Sequence, residues 1–114
     1  MLLASIDGRK AAFRISPVAE HDKPTVLCIH CSGGDSSVWS KQLAGLAGDC
    51  TLIAPDLPGP GKTEGRGGYT VEAYARWLDI ITRAMGIKRC IVMGYSIGGA
   101  IAQAFARAYP ERVQ

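Results

Sequence analysis

Ile91-Val92-Met93-Gly94-Tyr95-Ser96-Ile97-Gly98-Gly99-Ala100 is the stretch around which this chain is organised. Its opening residues are an apolar, β-branched run suited to a buried strand. Gly94, Ser96 and Gly98 then spell G-x-S-x-G. Ala100-Ile101-Ala102-Gln103-Ala104-Phe105-Ala106-Arg107 follows, a run of good helix formers. A strand, a sharp turn carrying a serine and a helix are the setting in which G-x-S-x-G has chemical meaning. The turn is so tight that side chains two residues before and two after the serine would strike the adjoining strand and helix. Glycine at 94 and 98 avoids both collisions. Such a turn exposes the Ser96 hydroxyl at the end of the sheet. It also leaves the Ile97 N–H at a helix start, where the dipole favours negative charge and an oxyanion could be held.

The preceding chain supplies the rest of a sheet. Leu2–Ile6 and Lys10–Ile15 flank Asp7-Gly8-Arg9, a hairpin signal, because glycine accepts the positive φ of the turn. Ser16–Pro24 reads as a loop, with His21 as a solvated loop residue. Thr25-Val26-Leu27-Cys28-Ile29 and Cys50-Thr51-Leu52-Ile53-Ala54 are continuous apolar runs of the kind buried on both faces. Between them, Val38, Trp39, Leu43 and Leu46 predict a helix over 36–47, with Asp35 or Ser36 as N-cap and Gly48 at its end. Pro55 is expected to stop the strand before it, since proline lacks the ladder N–H. Thr70 caps a predicted helix over Val71–Met85, with Val71, Tyr74, Ala75, Leu78, Ile81 and Met85 as its apolar stripe. Strands alternating with helices after a hairpin imply an α/β fold: a mostly parallel sheet with helices on both faces.

Composition narrows the function classes. The chain has 114 residues, is 47% hydrophobic and 20% charged, and carries a formal charge of +3. No Lys/Arg run points to nucleic acid, and no apolar stretch approaches a membrane span. The first residues lack a signal peptide's basic and long apolar regions, so a cytoplasmic location is expected. Cys28-Ile29-His30-Cys31 contains C-x-x-C, but no second ligand pair stands at zinc spacing, and no metal or cofactor is expected. Gly59-Pro60-Gly61-Lys62-Thr63 imitates the end of a phosphate-binding loop. It fails the pattern, because Asp56 stands where the first glycine belongs and no helix starts at Lys62.

With these residues in place, the chain resembles an α/β-hydrolase. His30-Cys31-Ser32-Gly33-Gly34 is similar to the family's oxyanion loop after the third strand. Asp56-Leu57-Pro58-Gly59-Pro60-Gly61-Lys62-Thr63 is similar to the segment after the fourth, with Pro60 where histidine is frequent. Gly94-Tyr95-Ser96-Ile97-Gly98-Gly99 is similar to the nucleophile elbow, and Ala106–Val113 to the run into a sixth strand. The resemblance implies Ser96 as nucleophile, the N–H groups of Ile97 and Ser32 as oxyanion donors, and structural roles at the site for His30, Gly94 and Gly98. Cys31 departs from the usual glycine. The family order is serine, then an acid, then histidine. Between Ser96 and Gln114 the chain holds one acid, Glu111, and no histidine.

Residues 1–114 are therefore expected to be the N-terminal part of a single α/β-hydrolase domain, with later strands, lid, acid and base supplied elsewhere. The parent would hydrolyse a small-molecule acyl or ester-like substrate through an acyl-enzyme. Esterase, lactonase, carbon–carbon hydrolase, acyltransferase and perhydrolase chemistry remain open. The alternative reading is a non-catalytic module that binds a small molecule or partner on the same fold. The isolated chain is expected to be inactive and to self-associate through an uncovered sheet edge.

Overall fold

The computed structural model describes residues 2–6, 8–20, 22–59 and 69–114. His21 and the phosphate-loop-like residues from Pro60 onward lie outside the described residues, as does Asp7. Five strands form one sheet: β1 (Leu2–Ile6), β2 (Arg9–Ile15), β3 (Thr25–Ile29), β4 (Thr51–Pro55) and β5 (Ile91–Gly94), in the spatial order β1-β2-β4-β3-β5. β1 and β2 pair as the expected hairpin, with Gly8 at φ 78°. β2 joins β4 antiparallel, and β4, β3 and β5 run parallel.

Winding direction explains where the helices lie. The chain leaves β3 sideways to β4, then crosses back over β3 to β5. Right-handed crossovers in opposite directions place their helices on opposite faces. One face carries a 3₁₀ turn (Ser36–Trp39) and α1 (Ser40–Gly45), with Trp39 and Leu43 packed against Val26, Cys28, Leu52 and Ala54. The other carries α2 (Val71–Ala84) and α3 (Ile97–Ala108). There Ala75, Leu78, Ile81, Ile101, Ala104 and Phe105 enclose Leu27 and Ile29. Thr70 caps α2 as expected, its Oγ1 accepting the Ala73 N–H at 3.1 Å.

Several boundaries differ from the sequence expectation. The predicted helix over 36–47 is a 3₁₀ turn joined to a short α-helix that ends at Gly45. A 3₁₀ turn advances three residues per turn rather than 3.6, so the stripe loses phase. Val38 and Leu46 consequently stay exposed. Asp35 caps this segment, accepting the Ser37 N–H at 2.8 Å. Hydrogen bonds from Ser37 hold the Asp35 carboxyl below the ordinary carboxylate value. β4 also runs through Pro55 instead of stopping before it. Pro55 faces Phe13, the direct ladder bond to β2 comes from the next residue (Asp56 N–H to Ala12 O, 2.9 Å), and pairing with β3 has ended at Ile53. No partner requires the N–H that proline lacks.

β5 lies at the end of the sheet. Among the described residues its outer side is engaged just before the strand begins: Cys90 bridges Val113 in parallel, donating to Arg112 O and accepting from the Gln114 N–H, both at 2.9 Å. The bridge is anchored by the buried Arg112 guanidinium. It bonds the Asp79 carboxylate, the Thr82 hydroxyl and the Ile87 carbonyl, and lies 5.8 Å from the centre of the Phe105 ring. Arg83 is a second partner of Asp79, at 3.0 Å on the surface side.

Two outcomes follow. Arg112→Ala strands the buried Asp79 with its surface partner alone and should lower unfolding stability by about 3 kcal/mol, read from denaturant midpoints. Burial pushes the Cys28 thiol up to about 12 from 9.0, with neighbouring Cys50 adding to the rise. The folded state thus keeps a proton that the unfolded chain loses above pH 9. This contribution is full below pH 9 and is lost as pH rises toward 12. A Cys28→Val variant should show a shallower decline of thermal midpoint over that interval; an unchanged slope would exclude Cys28 as its source.

Candidate active site

Neighbouring strands whose connections leave to opposite faces open a crevice at their carboxyl ends. β3 and β5 are such a pair: β3 leads to α1 and β5 to α3, on opposite faces. The loop His30–Gly34 and the turn Tyr95–Ile97 therefore emerge side by side.

The turn after β5 is sterically enforced. Ser96 has φ 60° and ψ −120°, the sole positive φ outside glycine among the described residues. A non-glycine residue held there stores roughly 1–3 kcal/mol of strain. A Cβ on Gly94 would overlap the Gly98 carbonyl, and a Cβ on Gly98 would overlap the carbonyls of Ile29 and His30. Both glycines are thus required by contacts, and Gly98 sits directly against the end of β3. The Tyr95 N–H donates to Ile29 O at 3.0 Å, tying the turn to the same strand. Ser96 is exposed and its side chain does not cap α3. Ile97 begins α3, so its N–H belongs to the helix's unpaired first turn.

The loop after β3 is a turn closed by Gly34 N–H to Cys31 O at 3.2 Å, with Gly33 at φ 74°. Glycine at the third position with positive φ is the type II requirement. Cys31 is accommodated, its thiol lying toward Gly34. His30 is buried, with both ring nitrogens committed: Nδ1 donates to Cys31 O at 2.7 Å, and Nε2 accepts the Leu57 N–H at 2.9 Å. Leu57 N–H can only donate, which fixes the tautomer. His30 therefore staples the loop after β3 to the loop after β4 and has no nitrogen left to serve Ser96. Asp56 adds a second tie, its Oδ1 accepting the Ser36 N–H at 2.8 Å.

These elements enclose a cleft of about 230 Å³. Ser32, Gly33 and Ile97 border it, so the two residues expected as oxyanion donors share one cavity wall. His30 and Cys31 line it from the same loop, and Leu57, Pro58, Tyr69, Tyr74 and Ile101 from the other elements. The Tyr69 and Tyr74 rings stand 5.0 Å apart, and the Tyr74 hydroxyl donates to Pro58 O at 3.4 Å. Sequence reading placed Tyr74 in the α2 stripe but missed it as a cleft wall; the signal available was an aromatic at the first turn of a helix that follows a Gly/Pro-rich loop. Cys28, the other half of C-x-x-C, lies in β3 and is buried on the face that carries Trp39, so it does not line this cleft. Among the described residues, no cluster of three metal-ligating side chains occurs.

Comparison with known proteins identifies the family of the fold. A family model described as alpha/beta hydrolase fold matches residues 24–114. An uncharacterised protein of Mycobacterium tuberculosis is 36% identical over 96% of this chain, which spans 31% of that relative. A pimeloyl-[acyl-carrier protein] methyl ester esterase of Pectobacterium carotovorum is 34% identical over 77% of the chain and 33% of its own length. A thermophilic esterase from Thermogutta terrifontis superposes with a TM-score of 0.84 at 28% identity, covering 98% of this chain and 42% of that one. The chain thus spans about a third of the length of these curated relatives. A family match across most of its length, on a sheet whose strand ends carry the serine turn, makes this chain a member of the α/β-hydrolase family.

Proposed function

We propose that this segment supplies the nucleophile and the oxyanion hole of a serine hydrolase acting on ester-like carbonyl substrates. The strained, exposed Ser96 at the β5–α3 turn is the observation that supports this most strongly, since such strain persists where the surroundings enforce it. In this reading Ser96 Oγ attacks the carbonyl carbon while its proton passes to an imidazole outside this segment. The carbonyl oxygen becomes an oxyanion between the N–H groups of Ile97 and Ser32. Its collapse breaks the bond to the leaving alcohol, which takes the proton from the imidazolium. Water, deprotonated by the same imidazole, then attacks the acyl-enzyme, and Ser96 recovers its proton as the acid departs.

His30 does not fill the role of base, because both its nitrogens are already bonded. With His30 committed and the relatives about three times as long as this chain, this reading places the acid and base in a further part of a single hydrolase domain of which residues 1–114 form the N-terminal portion. Among the described residues no imidazole is free to serve Ser96, and the outer side of the sheet at β5 is paired only at Cys90, just before the strand begins. Both features support an inactive, self-associating fragment.

The test is ester turnover and fluorophosphonate labelling of the longest natural form of the protein and of residues 1–114 alone. The long form should be labelled at Ser96 and lose about a thousandfold or more of kcat on Ser96→Ala. The short form should show no Ser96-dependent turnover. A long form that binds small esters saturably without labelling or turnover would instead identify a non-catalytic binding module.

A further inference from the structure

A second cavity, of about 320 Å³, lies between the β1–β2 hairpin and α2. It shares no described lining residue with the cleft bordered by Ser32 and Ile97. Its helix wall is Trp77, Ile80 and Ile81, beyond Tyr74 along α2. We infer that this cavity is a separate binding site for a medium-chain monocarboxylate. The inference does not depend on the role of Ser96.

The lining divides by character. Ala11 and Ile81 are buried and form an apolar floor, and Ile81 belongs to the main core. Ile6 and Trp77 are half-buried walls packed against that core. Ile80 is 40% exposed, so apolar helix surface meets solvent here. Arg9 and Lys10, both exposed, open β2 at the rim and are the charged side chains of the described lining. Arg76, four residues before Ile80, adds an exposed cation on the same side of the helix.

An apolar floor under a cationic rim suits a ligand with an apolar tail and an anionic head. The tail gains by leaving water. The head stays at the rim, where a guanidinium fork can hold both oxygens of a carboxylate. Arg9 supplies that fork, while Lys10, engaged also within the protein, adds positive potential. A cationic head would meet like charge, and an alcohol would forgo the charge-assisted bonds. At ~30 Å³ for each water-sized group, 320 Å³ holds about ten such groups, so head and tail together span about eight to ten carbons.

The experiment titrates the longest natural form with decanoate, read by calorimetry, and with ω-bromodecanoate, whose bromine quenches tryptophan fluorescence on contact. Decanoate should bind saturably, at least about tenfold more tightly than hexanoate. It should also bind at least about tenfold more tightly than decanol. Arg9→Glu, an exposed change on the hairpin, should weaken decanoate by about tenfold or more. Ile80→Glu, equally exposed, should do the same from the apolar side. Trp77→Phe should remove the saturable quenching by the bromo acid. No saturable decanoate binding, equal affinity for decanol or hexanoate, affinity unmoved by Arg9→Glu or by Ile80→Glu, or saturable quenching that survives Trp77→Phe would each overturn the inference. None of these readings uses ester turnover, so failure here leaves the assignment of Ser96 untouched.

Discussion

The site depends on how closely the first turn of α3 approaches the end of β3. Gly98 touches the carbonyls of Ile29 and His30 with no room for a side chain, and Gly94 touches Gly98 in the same way. Seating the helix this deep forces the backbone at Ser96 to φ 60°. It also carries Ile97 to the loop that begins at His30. Loosening either contact would relax the serine and separate the two loops, so steric exclusion sets the chemistry's geometry before any catalytic group is considered.

Buried polar side chains hold that geometry in place. His30 and Asp56, both fully buried, bond backbone groups of loops after β4 and β3 respectively. A buried polar group is costly unless satisfied, and once satisfied it fixes one arrangement over its competitors. At the opposite end of β5, Arg112 performs a comparable task, joining the chain's last residues to α2 through Asp79 and Thr82. The strand that bears the serine turn is thereby fixed at its start by the Cys90–Val113 bridge and at its end by the Tyr95–Ile29 bond.

Much of this was legible in the residues themselves, for identifiable reasons. β3 reads as Thr25–Ile29 because a strand buried on both faces is a continuous apolar run. The serine turn reads because its steric demand falls on two fixed positions. The alternating elements then give the sheet and its two covered faces. Features that depend on contacts between distant residues were not legible. The 3₁₀ start at Ser36 breaks the helical phase, and Pro55 is tolerated in β4 only because its neighbours leave its nitrogen unneeded. Arg112 looks like a surface charge until Asp79, Thr82 and Phe105 are seen to surround it. The cleft wall combines Tyr69 and Tyr74 with Pro58, which no spacing rule connects.

The most direct test is a crystal structure of the longest natural form after reaction with a small fluorophosphonate. The phosphorus should be bonded to Ser96 Oγ, with the phosphonyl oxygen about 2.7–3.1 Å from the backbone nitrogens of both Ile97 and Ser32. An adduct on another residue, or an oxygen turned away from those two N–H groups, would contradict the assignment of this turn and loop as nucleophile and oxyanion hole.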